Sequence, residues 1–162
     1  MTDQDSFVSA DRFDSDLYTS SLNGERVLNA AIVQAEIGEN FEEYVKIFDA
    51  FYADEIEFSS ETREEPIRGK ARVRSLLLNF LFPLHVMAEV GGVSISIRET
   101  ALPGDVAGET HSAWTLDLAE AGTTRTLSWR TLRKWNGPQV VYERHYDHRQ
   151  SGGAISARML GE

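Results

Sequence analysis

The sequence predicts an α+β fold in which helices come first and an antiparallel meander follows. Three observations carry that prediction. Apolar residues recur at helical spacing as far as Pro83, and beyond it they alternate with a period of two. Asn136-Gly137, the strongest short hairpin signal in the chain, then divides the last alternating stretch.

Each element follows in order. Residues 1–20 are polar and rich in Asp, Ser and Thr, which predicts a flexible N-terminal segment. From Leu22 the texture is helical, with Val27, Leu28, Ala31, Ile32 and Ala35 on one stripe and Gly38 as a stop. Asn40 reads as an N-cap, with Glu43 completing a capping box. Phe41, Tyr44, Val45, Phe48, Phe51 and Tyr52 then fall on one helical face. A short strand carries Glu57 and Phe58. A third helix is expected from Lys70 to Phe82, burying Val73, Leu76, Leu77 and Phe80 and ending at Pro83. The alternating strands carry Val93, Ile95 and Ile97, then Trp114, Leu116 and Leu118, then Leu127, Trp129, Thr131, Arg133 and Trp135. A last strand is expected from Pro138 to about His148. The body of the domain is thus 21–150, with a Gly-rich tail over 151–162.

Composition excludes several functions. A formal charge of −10 leaves no basic surface of the kind that nucleic acid requires. No cysteine means no disulfide and no thiolate nucleophile or ligand. The first residues lack the basic flank and apolar core of a signal peptide, and no apolar run could span a bilayer, so a cytoplasmic protein without membrane attachment is expected.

Hairpin register places the side chains. With Asn136-Gly137 as a two-residue loop, Arg133 faces Val140, Thr131 faces Tyr142, Trp129 faces Arg144 and Leu127 faces Tyr146, all on one side of the sheet. A turn at Ala121-Gly122 adds Trp114 and Leu116 to that side. The opposite side holds Arg130 across from Glu143, together with His111, His145 and Asp147, unless a β-bulge turns one of the histidines inward. An aromatic wall of this kind needs a cover of helices, a partner chain or a ligand.

Three stretches give the chain a known look: Tyr-Ala-Asp-Glu at 52–55, Pro-Ile-Arg-Gly at 66–69, and Asn-Gly…Arg-His-Tyr-Asp at 136–147. In order and spacing, over roughly residues 40–148, the chain resembles the ketosteroid isomerase-like superfamily, also called nuclear transport factor 2-like or polyketide cyclase-like. The resemblance implies a cone-shaped, curved mixed or antiparallel sheet packed against three N-terminal helices, an interior pocket, and homodimerisation through the sheet. By spacing, Ser60 and Thr131 stand where the isomerases carry their catalytic base and their acidic oxyanion donor. Neither is a useful proton acceptor near neutral pH, so the isomerase chemistry does not carry over. Limonene epoxide hydrolases resemble the chain at the closing Tyr-Asp, but the position of their last-strand acid is Arg144.

The resulting candidates are His111, His145 and Glu57 for proton transfer. Tyr52, Phe58, Ser60, Trp114, Trp129, Thr131, Tyr142, Arg144 and Tyr146 are the candidate ligand-binding residues. His145 beside Glu143 and Asp147 has a metal-ligand composition, but spacing of two along a strand reads more simply as a polar edge, and no metal is expected. No nucleotide or phosphate loop is present, so no cofactor is expected. Two functions remain open. One is a cofactor-independent cyclase, dehydratase or isomerase acting on an aromatic or polyketide-like carbonyl compound. The other is a non-catalytic ligand-binding or dimeric accessory module.

Overall fold

In the computed structural model, which describes residues 20–34, 41–89 and 91–153, the expected elements follow in the expected order, with one further two-residue strand before the third helix and Tyr52 opening a strand instead of ending a helix. Helix α1 covers 20–34, and α2 (Phe41–Phe51) leads into β1 (Tyr52–Ser60). The short β2 (Ile67–Arg68) precedes α3 (Lys70–Glu89). The meander is β3 (Ser94–Pro103), β4 (Glu109–Glu120), β5 (Thr123–Asn136) and β6 (Gln139–Gly152). The segment 1–19, Ala35, the Gly38 stop and the Asn40 cap lie outside the described residues. The strands form one open mixed sheet in the order β2-β1-β6-β5-β4-β3, with β1 parallel to β6 and the other neighbours antiparallel. No helix among the described residues is long and apolar enough to cross a membrane.

The helices cover one face of the sheet, and the core divides into two clusters there. Tyr44 and Phe48 of α2 pack with Leu28, Tyr52, Ile56, Phe58, Val73, Leu81, Trp135 and Val140. The second cluster joins Leu84 and Met87 of α3 to Val93, Trp114, Leu116, Leu118 and Trp129. That second cluster explains why α3 does not stop at Pro83, contrary to expectation. A proline inside a helix costs about 3 kcal/mol. Burying Leu84 and Met87, 2% and 0% exposed, returns about 1.5–3 kcal/mol each. Tertiary burial wins. Within the expected stripes, Val27 and Phe80 are exceptions, half exposed at 51% and 46%.

The turn at Ala121-Gly122 pairs Trp114 with Trp129 and Leu116 with Leu127, as expected. The last hairpin departs from expectation. Its two-residue loop is Gly137-Pro138, so Asn136 pairs with Gln139 and Trp135 with Val140. Gly137 alone takes positive φ (59°), and Pro138, fixed near −65°, suits the second loop position. This slip of two residues keeps Val140 on the inner face. The register then shifts by one more residue between Trp135 and Lys134, with Val141 as the extra residue. An odd shift exchanges the faces. Tyr142, Arg144 and Tyr146, expected on the aromatic wall, therefore project outward, and Glu143 and His145 turn inward. Arg130 faces Tyr146, and Glu143 faces Arg133. A second shift, at the positive-φ residue Asp147 (57°), carries β6 on to Gly152, beyond its expected end at His148.

Candidate functional site

Arg133 is the anchor of the inner face. It points from β5 into the core with its side chain 1% exposed, and a guanidinium there needs anionic partners. Two elements supply them. From α1, Glu25 contacts its Nη1 at 3.0 Å and Asn29 Oδ1 accepts from the same nitrogen at 2.8 Å. From β6, Glu143 Oε1 accepts from its Nε. Ser21, Glu25 and Asn29 form a buried polar stripe at i, i+4 spacing on α1. Thr110 and Ser112 of β4 satisfy Glu25, and Asn29 Nδ2 donates to Ser112 and to Glu99 at 2.8 and 2.9 Å. Tyr52 donates its hydroxyl to Glu143 Oε1, and burial pushes that phenol well above its usual value.

Glu143 has both oxygens occupied. Oε1 takes Arg133 and Tyr52, and Oε2 lies 3.0 Å from His145 Nε2. Burial alone would raise its carboxyl, but the Arg133 guanidinium and the hydrogen bonds from His145 and Tyr52 outweigh it and hold the group at about 2. A carboxylate this weakly basic accepts no proton usefully near neutral pH. It does fix the imidazole beside it. An ionised carboxylate only accepts, so Nε2 of neutral His145 carries the proton and Nδ1 carries the lone pair. Among the described residues Nδ1 has no hydrogen-bond partner, and the ring packs edge-on against Phe58, centroids 4.8 Å apart.

His145 sits where two cavities meet. The inner one, about 30 Å³, is walled by Ile32, Tyr44, Leu81, Trp114, Thr131, Arg133 and Glu143. The outer cleft, about 450 Å³, runs between β6, the end of β1 and α3. Leu77, Phe80, Trp129 and His145 border both. The inner space is enough for one or two non-hydrogen atoms, and the outer for a molecule of one or two rings. Trp114 and Trp129 stack with an interplanar angle of 4°, and Phe80 meets Trp129 edge-on. Two polar atoms of residues in the inner wall, Thr131 Oγ1 and Trp114 Nε1, are buried without a hydrogen-bond partner among the described residues. Such groups are costly unless a guest satisfies them.

The residues singled out from sequence divide into three groups. Phe58, Ser60, Trp114, Trp129, Thr131 and His145 border the two cavities. Tyr52 lies beneath them, its hydroxyl on Glu143. The remainder do not join this site. Glu57 pairs with Arg68 at the sheet edge at 2.8 Å. Tyr142 bonds Ser59 and lies under the Lys134 ammonium. Arg144 and Tyr146 flank a shallow outer-face depression with His111, whose Nδ1 meets Tyr146 Oη at 3.1 Å. No cluster of three metal-ligating side chains occurs among the described residues. Sequence reasoning missed Glu25, Asn29, Arg133 and Glu143. The signal was present: an arginine at an inward position on an aromatic strand demands an acid, and α1 offers one, Glu25, on the polar stripe it shares with Ser21 and Asn29.

No protein-family model matches the sequence, and no curated protein matches it. Solved structures do. A limonene-epoxide-hydrolase-like epoxide hydrolase of M. tuberculosis is 15% identical with a TM-score of 0.52, covering 80% of this chain and 83% of that one. A candidate SnoaL-like polyketide cyclase from Jannaschia sp. CCS1 is 10% identical with a TM-score of 0.53, covering 80% and 86%. An NTF2-like protein of unknown function from Cytophaga hutchinsonii is 11% identical with a TM-score of 0.52, covering 76% and 96%. The chain therefore has the nuclear transport factor 2-like fold, in agreement with the resemblance seen in its sequence. At these identities the likeness establishes architecture and leaves the chemistry to the site.

Proposed function

We propose that the protein is a cofactor-independent acid–base enzyme of the cyclase, dehydratase or isomerase kind, acting on an aromatic or polyketide-like carbonyl compound. One observation carries this reading: a histidine fixed by a buried, ionised Glu143 borders a cleft with an aromatic wall on one side and, on the other, a small cavity whose lining residues include the unpartnered Thr131 and Trp114 donors. His145 Nδ1 takes a proton from the carbon next to the carbonyl, and Glu143 stabilises the imidazolium that forms. Arg133, with Glu25 behind it, keeps Glu143 ionised. The substrate oxygen enters the inner cavity, where Thr131 Oγ1 and Trp114 Nε1 donate to the charge that develops on it. The rings lie in the outer cleft against Phe58, Leu76, Phe80 and Trp129. Glu143 is the positioning residue here and His145 the catalytic one. Homodimerisation through the outer face and a cytoplasmic location belong to the same reading.

The test is solvent deuterium exchange. An aryl β-diketone incubated with the protein in D2O should lose its α-proton resonance faster than in buffer. His145→Gln should cut that acceleration about 10²- to 10⁴-fold. Binding with no exchange, or exchange indifferent to His145, would favour the non-catalytic module. The absence of a carboxylate at Ser60 and at Thr131 supports that second reading.

A further inference from the structure

The outer cleft differs in charge from the protein that contains it. The chain has 26 acidic and 16 basic residues, yet among the described residues no carboxylate lines this cleft, whereas Arg63 and Arg149 do. Its charge is also graded in depth. Phe58, Leu77 and Trp129 form the floor, and the exposed Arg63 and Arg149 stand at the rim with Gln150 and Phe80. Part of the rim is already engaged. His148 is bonded to Glu61 at 2.8 Å, and Arg149 Nε meets Asp147 at 3.1 Å. Arg63 has no carboxylate partner among the described residues, and the Arg149 nitrogens other than Nε have none either.

Resting on the proposed function, we infer that the substrate is an amphipathic anion. Its oxygen reaches the unpartnered Thr131 and Trp114 atoms, its rings fill the cleft, and a carboxylate or similar anionic group at the far end meets Arg63 and Arg149. In an acidic protein a local cationic rim both attracts such a molecule and sets its direction of entry, so the carbonyl end goes in first. Arg63 and Arg149 are then specificity-determining residues without a part in proton transfer.

A matched pair of fluorescent probes tests this. 1-Anilinonaphthalene-8-sulfonate and N-phenyl-1-naphthylamine share their rings and differ by the sulfonate. The intact protein should bind the sulfonate at least about fivefold more tightly, since each exposed ion pair adds little and two act together. In the Arg63→Ala/Arg149→Ala variant the affinities should converge, with the neutral probe unaffected. Both residues are exposed, so folding is kept. An Arg72→Ala/Arg98→Ala variant, which removes exposed charge elsewhere, should retain the preference. Equal affinities in the intact protein, a preference that survives loss of Arg63 and Arg149, or one equally lost in the control variant would each overturn the inference while leaving the cleft a binding site. If neither probe binds, the pocket reading itself falls, and the anion preference with it.

Discussion

Glu143 shows how a single residue ties stability to function. Its folded value of about 2 lies below the ordinary 4.5, so the stability it contributes is present above pH 4.5 and is lost as pH falls toward 2. Urea midpoints measured from pH 6 to 2.5 should decline steeply through that window. Glu143→Gln should flatten the decline and cost about 3–5 kcal/mol at neutral pH, because a buried guanidinium loses one of its two anions. Glu61 titrates in the same direction, held at about 2 by backbone and side-chain hydrogen bonds from His148. Glu61→Gln separates the two contributions. An acid decline as steep in Glu143→Gln as in the parent would show that the buried ion pair is not its source. The residue also illustrates why a perturbed carboxylate is not automatically a base: its strong charge serves the histidine beside it.

At the scale of elements, α1 is placed by one close approach. A Cβ on Gly24 would lie 2.8 Å from Trp135 Cη2, and Trp135 is held by its own bond from Nε1 to Thr110 at 2.9 Å. Replacing Gly with Ala inside a helix ordinarily gains about 1 kcal/mol, whereas overpacking a fixed core costs about 1–3 kcal/mol. The clash should win. Gly24→Ala is expected to lower stability by up to about 2 kcal/mol on thermal or urea unfolding, and a neutral or stabilising result would mean that α1 can shift on the sheet. Because Glu25 and Asn29 stand on this helix, the same variant should also weaken exchange catalysis by displacing the anions behind Arg133. The bulge at Val141 has the opposite character. It sets no close approach, but it decides which face of β6 sees the cleft.

At the scale of the whole molecule, assembly turns on the outer face. Leu102 is 42% exposed, and it pairs with His111, which pairs in turn with Leu132. With Tyr146 they lie on the side the helices leave uncovered, where Arg130, Arg144, Glu61 and Asp147 flank His111, Leu132 and Tyr146. If that face is a dimer surface, light scattering should return twice 18.2 kDa, and Leu132→Glu should halve the mass without loss of fold. A parent protein scattering at 18.2 kDa would discard the dimer. The proposed active site, on the inner face, is complete within one chain, so exchange activity should not depend on protein concentration in either case.

Local pattern and period determined the order of elements, the α+β class and the inner face of β4 and β5, because binary patterning acts over a few residues and tolerates small boundary errors. Of the predicted residues that border the cavities, Phe58, Trp114, Trp129 and Thr131 were legible for that reason, Ser60 came from the spacing of the superfamily resemblance, and His145 was reached only through the bulge left open for it. What tertiary structure alone decided was the side of the sheet on which β6 presents its residues. One extra residue at Val141, favoured by no turn motif, exchanged Tyr142, Arg144 and Tyr146 for Glu143 and His145. The pairing of Arg133 with Glu25 and Asn29 on α1 is likewise non-local, joining positions more than a hundred residues apart, while Glu143, on the next strand, reaches it only through the shifted register. Register and burial of charge are properties of the assembled sheet, where the gain from satisfying one guanidinium exceeds any preference written into a five-residue window.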